Sequence, residues 1–394
     1  MPSNVYFGSA RQARMEESES LTGKLDLILE RLRLSERVKD EFVIIKMHVG
    51  SKTGYTTIHP VFVRKVVQAV RDGGGTPVVV DIAGNVRDAA TRGYTAEVLG
   101  CPVYPVGGAA EKYFYTHQRP YKNMQEWKVA GMAQDATFLV NFSHVKGHGS
   151  TGFGGAFKNL ALGCVVAETR SAMHDLFHYD RYWFSEKCPD PAMRQRIIDS
   201  CPFGALVLDK EDPSELHMHM ENCNQCGRCL KVAPPGSLKI DPVNFNAFQE
   251  ACAISAALVL STFDKAKTVH LNLANFMTPL CDCWGFSTMP ILPDVGIFGS
   301  DDIVALDHAT LDLIAEEKLI EENIPTSLEV HTRKGHPFQQ LHGPLKDPYA
   351  VTMYGEREGL GSRNYKLVDV MPVEDMRPAP IGYIPADGGS AQIS

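Results

Sequence analysis

"EFVIIKMHVG" at 41–50 and "TPVVVDIAG" at 76–84 flank "PVFVRKVVQAVRDGGG" at 60–75, and together the three decide the fold. The first is a near-continuous apolar run ending in Gly, which suits a strand buried on both faces of a parallel sheet. The middle segment opens on Pro and ends in glycines, the punctuation of a helix. The third is another buried strand. Strand, helix, strand in this rhythm predicts an α/β protein with a mostly parallel sheet and flanking helices.

Outward from this unit, "NVYFGSA" (4–10) reads as a first strand, and Leu21, Leu25, Leu29 and Leu32 mark a helix over about 19–34. "DATFLVNFSHVKGHG" (135–149) is a further strand running into a Gly- and His-rich loop, with a helix expected from about 156. From 186 to about 245 the chain is short on apolar periods and rich in Cys and Pro, the composition of a small ferredoxin-like insert. The α/β pattern then resumes. "FNAFQEACAISAALVLSTF" is helical, 268–279 and 293–300 are strands, and 300–319 is a helix. Ser300 is its expected cap, with Asp301 and Asp302 in the first turn. The expected division is an N-terminal α/β part (1–185), the insert (186–245), a C-terminal α/β part (246–330) and an extended tail (331–394). The tail, rich in Gly, Pro and charge, packs on the body or on a partner subunit, an arrangement compatible with a homodimer.

Length and composition limit the function classes. The 394 residues suffice for a full core and two or three domains. The 44% hydrophobic and 22% charged fractions are those of a globular protein. A net charge of −8 and the lack of a long basic run argue against nucleic acid or an anionic membrane as partner. The longest apolar run, 251–263, is too short to span a bilayer, and the N-terminus has no signal pattern. A cytoplasmic location is expected. Ten cysteines there point to metal or redox chemistry rather than disulfides.

The most specific motif is "ENCNQCGRCLKVAPPG" (221–236). Cys223, Cys226 and Cys229 have the spacing that seats a cubane iron–sulfur cluster, but Ala233 stands where the Cys before Pro234 would be. In two-cluster ferredoxins that Cys serves the other cluster. The fourth ligand is therefore expected upstream, and "SCPFGALVL" (200–208) supplies Cys201 before Pro202. Around the second site only Cys188 survives, so the losses fall on one cluster and spare the other. The expectation is one 4Fe–4S cluster on Cys201, Cys223, Cys226 and Cys229, with Cys188 a remnant or a core residue. A zinc knuckle on the same thiolates is the competing reading, and the triple-Cys spacing favours the cubane.

The chain also resembles the family of iron–sulfur proteins catalogued as "domain of unknown function 362". The resemblance is carried by "HVKGHGSTGFGGAFKNLALGC" (144–164), the insert, "CDCWGFSTMPILPDVGIFGSDDIVALDHA" (281–309) and "YGEREGLGSRNYKLVDV" (354–370). It implies an anaerobic setting and an insert that commonly holds two clusters, against the single set of ligands here. It implies no activity, so function has to be argued from sites.

Two further segments carry candidate chemistry. In 144–158, His144, Lys146, His148 and Lys158 surround a glycine-rich loop at a strand end, where ligands bind in open α/β sheets. Glycines admit a ligand to backbone N–H groups, and the cations favour an anion. His48, Lys52 and His59, beside a second strand end, are candidates to join them. In "PLCDCWGF" (279–286), Cys281 and Cys283 would share a face in extended chain, with Asp282 opposite. They are candidates for a second metal, a redox thiol pair, or packing. Cys101, Cys164 and Cys252 read as core.

Two functions are expected from these features. The first is an oxidoreductase in which one 4Fe–4S cluster passes electrons to or from a small anionic substrate held by His144, Lys146, His148, Lys158, Cys281 and Cys283. No flavin or nicotinamide motif is present, so its partner would be a ferredoxin-like donor. The alternative is an electron carrier or binding protein without catalysis of its own. They differ in whether the basic loop and Cys281/Cys283 share a pocket near the cluster.

Overall fold

The computed structural model describes residues 2–374 apart from 179, 220–221, 224–225, 242, 329, 331 and 344–345; residues 375–394 of the expected tail lie outside the described residues. The central sheet has eight strands: β1 (Ser3–Ser9), β2 (Phe42–Lys46), β3 (Thr76–Asp81), β4 (Val103–Pro105), β5 (Phe138–His144), β6 (Thr268–Ala274), β7 (Gly296–Ser300) and β8 (Tyr365–Asp369). Their order is β8-β1-β7-β6-β5-β2-β3-β4. Strand β7 runs antiparallel to both neighbours, and every other pair is parallel.

Helices α1 (Leu21–Arg31) and α2 (Pro60–Asp72) cover one face, packing on Val43, Ile45, Val79, Val140, Phe142 and Leu271. The other face carries α3 (Ala156–Gly163), α4 (Ala167–Asp175), α5 (Val243–Leu260), α6 (Ile303–Ala315) and α7 (Ala350–Arg357). Helix α5 is long and apolar enough to cross a membrane, but 67% of it is buried in this fold. Because side chains alternate along a strand, the face under α3 also receives Lys46, Asn141, His270 and Asn272, all buried. Their partners explain this polar stripe. Asn272 donates to Asp307 at 2.7 Å, and Asp307 accepts from Ala156 N and Phe157 N at 2.8 and 2.9 Å, fixing the start of α3.

The sheet order places the site. From β2 the chain moves outward to β3 and β4; from β5 it moves the opposite way, to β6. The reversal lies between β2 and β5, and ligands bind at the carboxyl ends of strands at such a switch point.

One expectation about a helix start is corrected. Asp302, not Ser300, caps α6, accepting from Ala305 N at 2.9 Å, while Ser300 donates to Asn4 O at 2.7 Å. Tail residues supply α7 and β8, and β8 pairs with β1 at the sheet edge. The insert contains a helix (Pro191–Asp199), a hairpin (Leu206–Leu208 with Leu216–Met218) and a short helix (Arg228–Val232). Its neck is tied by the Trp183–Leu238 bridge and by Phe184 N donating to Ser237 O at 2.9 Å.

Candidate functional site

The site rests on a buried charge network at the ends of β2 and β3. Lys46 Nζ donates to Asp81 Oδ1 at 3.0 Å, Asn159 Oδ1 at 2.9 Å and Met47 O at 2.8 Å. Lys46 and Asp81 are 1% and 2% exposed, a burial that ions accept only when paired and fully hydrogen-bonded. Gly163 makes room, since a Cβ there would meet Lys46 Cε at 2.2 Å. Asp81 Oδ2 also accepts from Val49 N at 3.0 Å and Asn85 Nδ2 at 2.8 Å, and contacts His48 Nδ1 at 3.1 Å. Burial alone would push this carboxyl up, but Lys46 and His48 hold it well below the usual range.

Two histidines flank the thiol pair. His48 Nδ1 lies 3.1 Å from both Asp81 Oδ2 and Asn85 Nδ2. His48 also contacts the Cys281 side chain. In His148, Ser150 N and Thr151 N both donate to Nδ1, at 3.2 and 3.3 Å, so the ring proton is on Nε2, 3.9 Å from Cys283 Sγ. Burial and the nearby Lys158 disfavour its charged form.

Cys281 and Cys283 follow β6 by a loop whose approach requires a glycine: a Cβ at Gly147 would meet Pro279 O at 2.4 Å. The extended geometry expected for this segment is not what forms. Asp282–Trp284 is a single 3₁₀ turn closed by Gly285 at φ +84°. The two sulfurs still face each other, with Cys283 N donating to Cys281 Sγ at 3.5 Å. Asp282 is buried and accepts from Thr56 Oγ1 at 2.9 Å and from Ser287 Oγ, which ties the turn to the body. Lys158 Nζ lies 3.6 Å from Cys281 Sγ. The hydrogen bond with Cys283 and the charges of Lys158, Lys146 and His48 pull the Cys281 thiol well below its ordinary value, and Cys283 rises. His148, Cys281 and Cys283 offer three ligand atoms within 4.8 Å of one another, a group that could hold a metal ion.

A cavity of about 550 Å³ opens over these residues. Lys46, His48, Lys52, Asp81, His148, Lys158, Arg170, His174, Cys283 and Trp284 line it, as does Cys223 of the insert. Cys223 also lines a small apolar pocket with Cys201, Cys226 and Cys229. Burial, reinforced by the other three sulfurs, pushes the Cys229 thiol up to about 12. The insert touches the body beside this wall, where the Phe203 and Trp284 rings meet edge to face at 5.8 Å.

The structure thus brings His148, Lys158, Cys281 and Cys283 together, with His48 and Lys52 beside them. His144 and Lys146 lie behind the cavity wall. His144 Nε2 is 2.7 Å from Asn275 O, and Lys146 Nζ donates to His144 O at 2.8 Å. His59 is exposed and caps α2 through Val61 N. Cys101, Cys164, Cys188 and Cys252 are buried. Sequence reasoning missed Lys46, Asp81, Asn159, Arg170, His174 and Trp284. A charged residue closing each apolar strand, "FVIIK" and "VVVD", was the available signal for the first two.

A family model described as "Domain of unknown function (DUF362)" matches residues 43–312. No curated protein shows a significant match. Among solved structures the chain is similar to the lactate racemase apoprotein from Thermoanaerobacterium thermosaccharolyticum, at 11% identity and a TM-score of 0.35, over 69% of this chain and 50% of that one. The chain therefore spans half the length of that protein.

Proposed function

Since the chain belongs to the DUF362 family, whose description assigns no activity, we propose a function from its site: an iron–sulfur oxidoreductase acting on a small anionic substrate in the cavity. The group expected on Cys201, Cys223, Cys226 and Cys229 is one 4Fe–4S cluster. The donors fit it. Their four sulfurs line one apolar pocket, where burial and the other three sulfurs push the Cys229 thiol up to about 12, and a metal centre would supply the compensating positive charge. When bound, such a cluster supplies one-electron transfer.

One observation carries the reading: Cys223 is a wall of both the four-cysteine pocket and the cavity. The other residues have assignable tasks. Lys158, which donates to Cys281 Sγ at 3.6 Å, and Lys52 are the cations for the substrate's negative charge, because Lys46 is paired with Asp81 and Arg170 with Glu111. His148 holds a proton at Nε2 toward Cys283 and the cavity. Trp284, held by Phe203, closes the side nearest the insert.

The test is anaerobic purification followed by iron and sulfide analysis, then reoxidation of the reduced protein by a panel of small carboxylates and oxoanions. About four irons and four sulfides per chain are expected. Reoxidation should saturate with one class of anion and be impaired in Lys158→Ala at unchanged iron content. Stoichiometric zinc in the four-cysteine pocket would overturn the cluster. Reoxidation by protein carriers alone, indifferent to every anion and to Lys158, would replace the enzyme reading with that of an electron carrier.

A further inference from the structure

We propose that Cys281 and Cys283 are a dithiol–disulfide redox pair and that the substrate of the cavity is a small anionic disulfide. The turn between the two residues makes the bridge possible. In extended chain, residues i and i+2 stand roughly 7 Å apart at Cα, the upper limit for a disulfide. Asp282 instead has 3₁₀ geometry, which advances the chain by only about 2 Å per residue and brings the two Cα atoms inside that limit. The sulfurs lie within 4.8 Å of each other, so bond formation calls for side-chain rotation rather than refolding of the turn. The hydrogen bonds of Asp282 to Thr56 and Ser287 hold the turn while the sulfurs move.

His148 decides between this pair and a metal ion. It offers the third ligand atom of the group, but its Nδ1 accepts from Ser150 N and Thr151 N, and Nε2 keeps the proton. A neutral imidazole binds metal through the nitrogen that lacks a proton. The Nε2–H is therefore a donor toward Cys283 Sγ, at 3.9 Å, as Lys158 Nζ is toward Cys281 Sγ at 3.6 Å. A donor on each sulfur supports the thiolate, the form that attacks a disulfide. The sulfurs also differ in access: Cys283 is exposed at the cavity and Cys281 is buried. That difference sets the order of events. Cys283 Sγ attacks one sulfur of the substrate R–S–S–R, whose S–S bond breaks; the released sulfur takes the Cys283 proton and leaves as RSH. Cys281 Sγ then attacks Cys283 Sγ of the mixed disulfide, the Cys281–Cys283 bond forms, and a second RSH leaves with the Cys281 proton. The protein has given up two electrons and two protons, and the substrate has gained them. The reverse exchange with two thiols restores the pair. Lys52 and Lys158 on the cavity wall receive the substrate's negative groups. The inference rests on the oxidoreductase reading for that negative charge, but no step of it passes through the four-cysteine pocket.

The experiment incubates the anaerobically purified full chain with oxidised glutathione, an anionic disulfide, or with uncharged bis(2-hydroxyethyl) disulfide. Samples are quenched with iodoacetamide and iron is counted in each; a parallel sample is dialysed against zinc(II) before alkylation. Cleavage after Lys and Arg releases residues 268–318, whose only cysteines are Cys281 and Cys283. Oxidised glutathione should convert this peptide from the doubly alkylated form to an unalkylated, bridged one at unchanged iron, about tenfold faster than the uncharged disulfide does. Cys281→Ser should stop at a glutathione mixed disulfide on Cys283. Lys158→Gln should slow bridging by about three- to tenfold at unchanged iron. The wild-type result depends on no variant folding. A doubly alkylated peptide throughout, with reoxidation still saturating in another anion, would overturn this inference and leave the oxidoreductase standing. So would one zinc per chain that shields both cysteines and is lost in His148→Gln. Bridging at equal rates with both disulfides, unmoved by Lys158→Gln, would overturn the anionic substrate on which the oxidoreductase reading depends, and with it the substrate class named here.

Discussion

Lys46→Met removes the only lysine that reaches Asp81 among the described residues and leaves a shape close to the original. At the 3.0 Å separation of Nζ and Oδ1, two unit charges attract by about 5.5 kcal/mol at an effective dielectric of 20. The intact pair contributes far less than this, because each ion lost its hydration on burial. Breaking it is another matter: Asp81 keeps its desolvation penalty and loses its cation, at a cost of about 3–5 kcal/mol. Amide hydrogen exchange by mass spectrometry on peptides covering 42–49 and 76–83 reads this locally, without assuming that the whole chain unfolds in one step. Exchange there should accelerate by roughly a hundredfold to a few thousandfold. The double variant Lys46→Met/Asp81→Asn carries no buried charge and should return to within about tenfold of wild type. An acceleration below tenfold in Lys46→Met alone would mean that His48, Val49 N and Asn85 satisfy the carboxylate unaided, and the argument for Lys46 as its counter-ion would fail.

Three other outcomes are expected. Cys223→Ser should lose or convert the iron centre, whereas Cys188→Ser, whose thiol is buried away from the four-cysteine pocket, should keep the wild-type iron content and absorption spectrum; equal losses would refute the single-cluster assignment. Asp307 is pushed up to about 6 by burial, so its contribution is fully present below about pH 4 and lost as pH rises through about 6; relative to Asp307→Asn, wild-type stability should fall by about 3 kcal/mol across that window in denaturant titrations, and a pH-independent difference would sink the idea. A double-mutant cycle on Phe203→Ala and Trp284→Ala should give a coupling of about 0.5–1.5 kcal/mol, and zero coupling would mean that the insert is not held at that contact.

What could be read in the chain, and what could not, follows the range of the interactions involved. The strands at 42–46 and 76–81 and the helix between them are local patterns, and they form where the pattern puts them. The antiparallel direction of β7 has no local signature, because "VGIFG" reads the same in either orientation. The hairpin at 114–130 is half exposed and lacks a long apolar run, so it does not stand out either. In the site, glycines, histidines and cysteines announced themselves by residue type. Lys46 did not, since a lysine closing an apolar strand looks like its solvated end. Its burial is licensed by Asp81, 35 residues away, and by the absence of a side chain at Gly163. The turn at Cys281 needed Gly285 at positive φ, which short-range alternation along a strand ignores.

The shared position of Cys223 has a consequence for handling the protein in air. If the four-cysteine pocket holds the proposed cluster, oxygen that destroys it would disturb Cys223, and the cavity would lose part of its wall at the same moment as the cluster. Ligand capture and redox competence should therefore decay together, with one half-life, in an aerobic preparation. A binding screen run on such material would report an empty, misshapen cleft, and its negative results would describe the damage rather than the molecule.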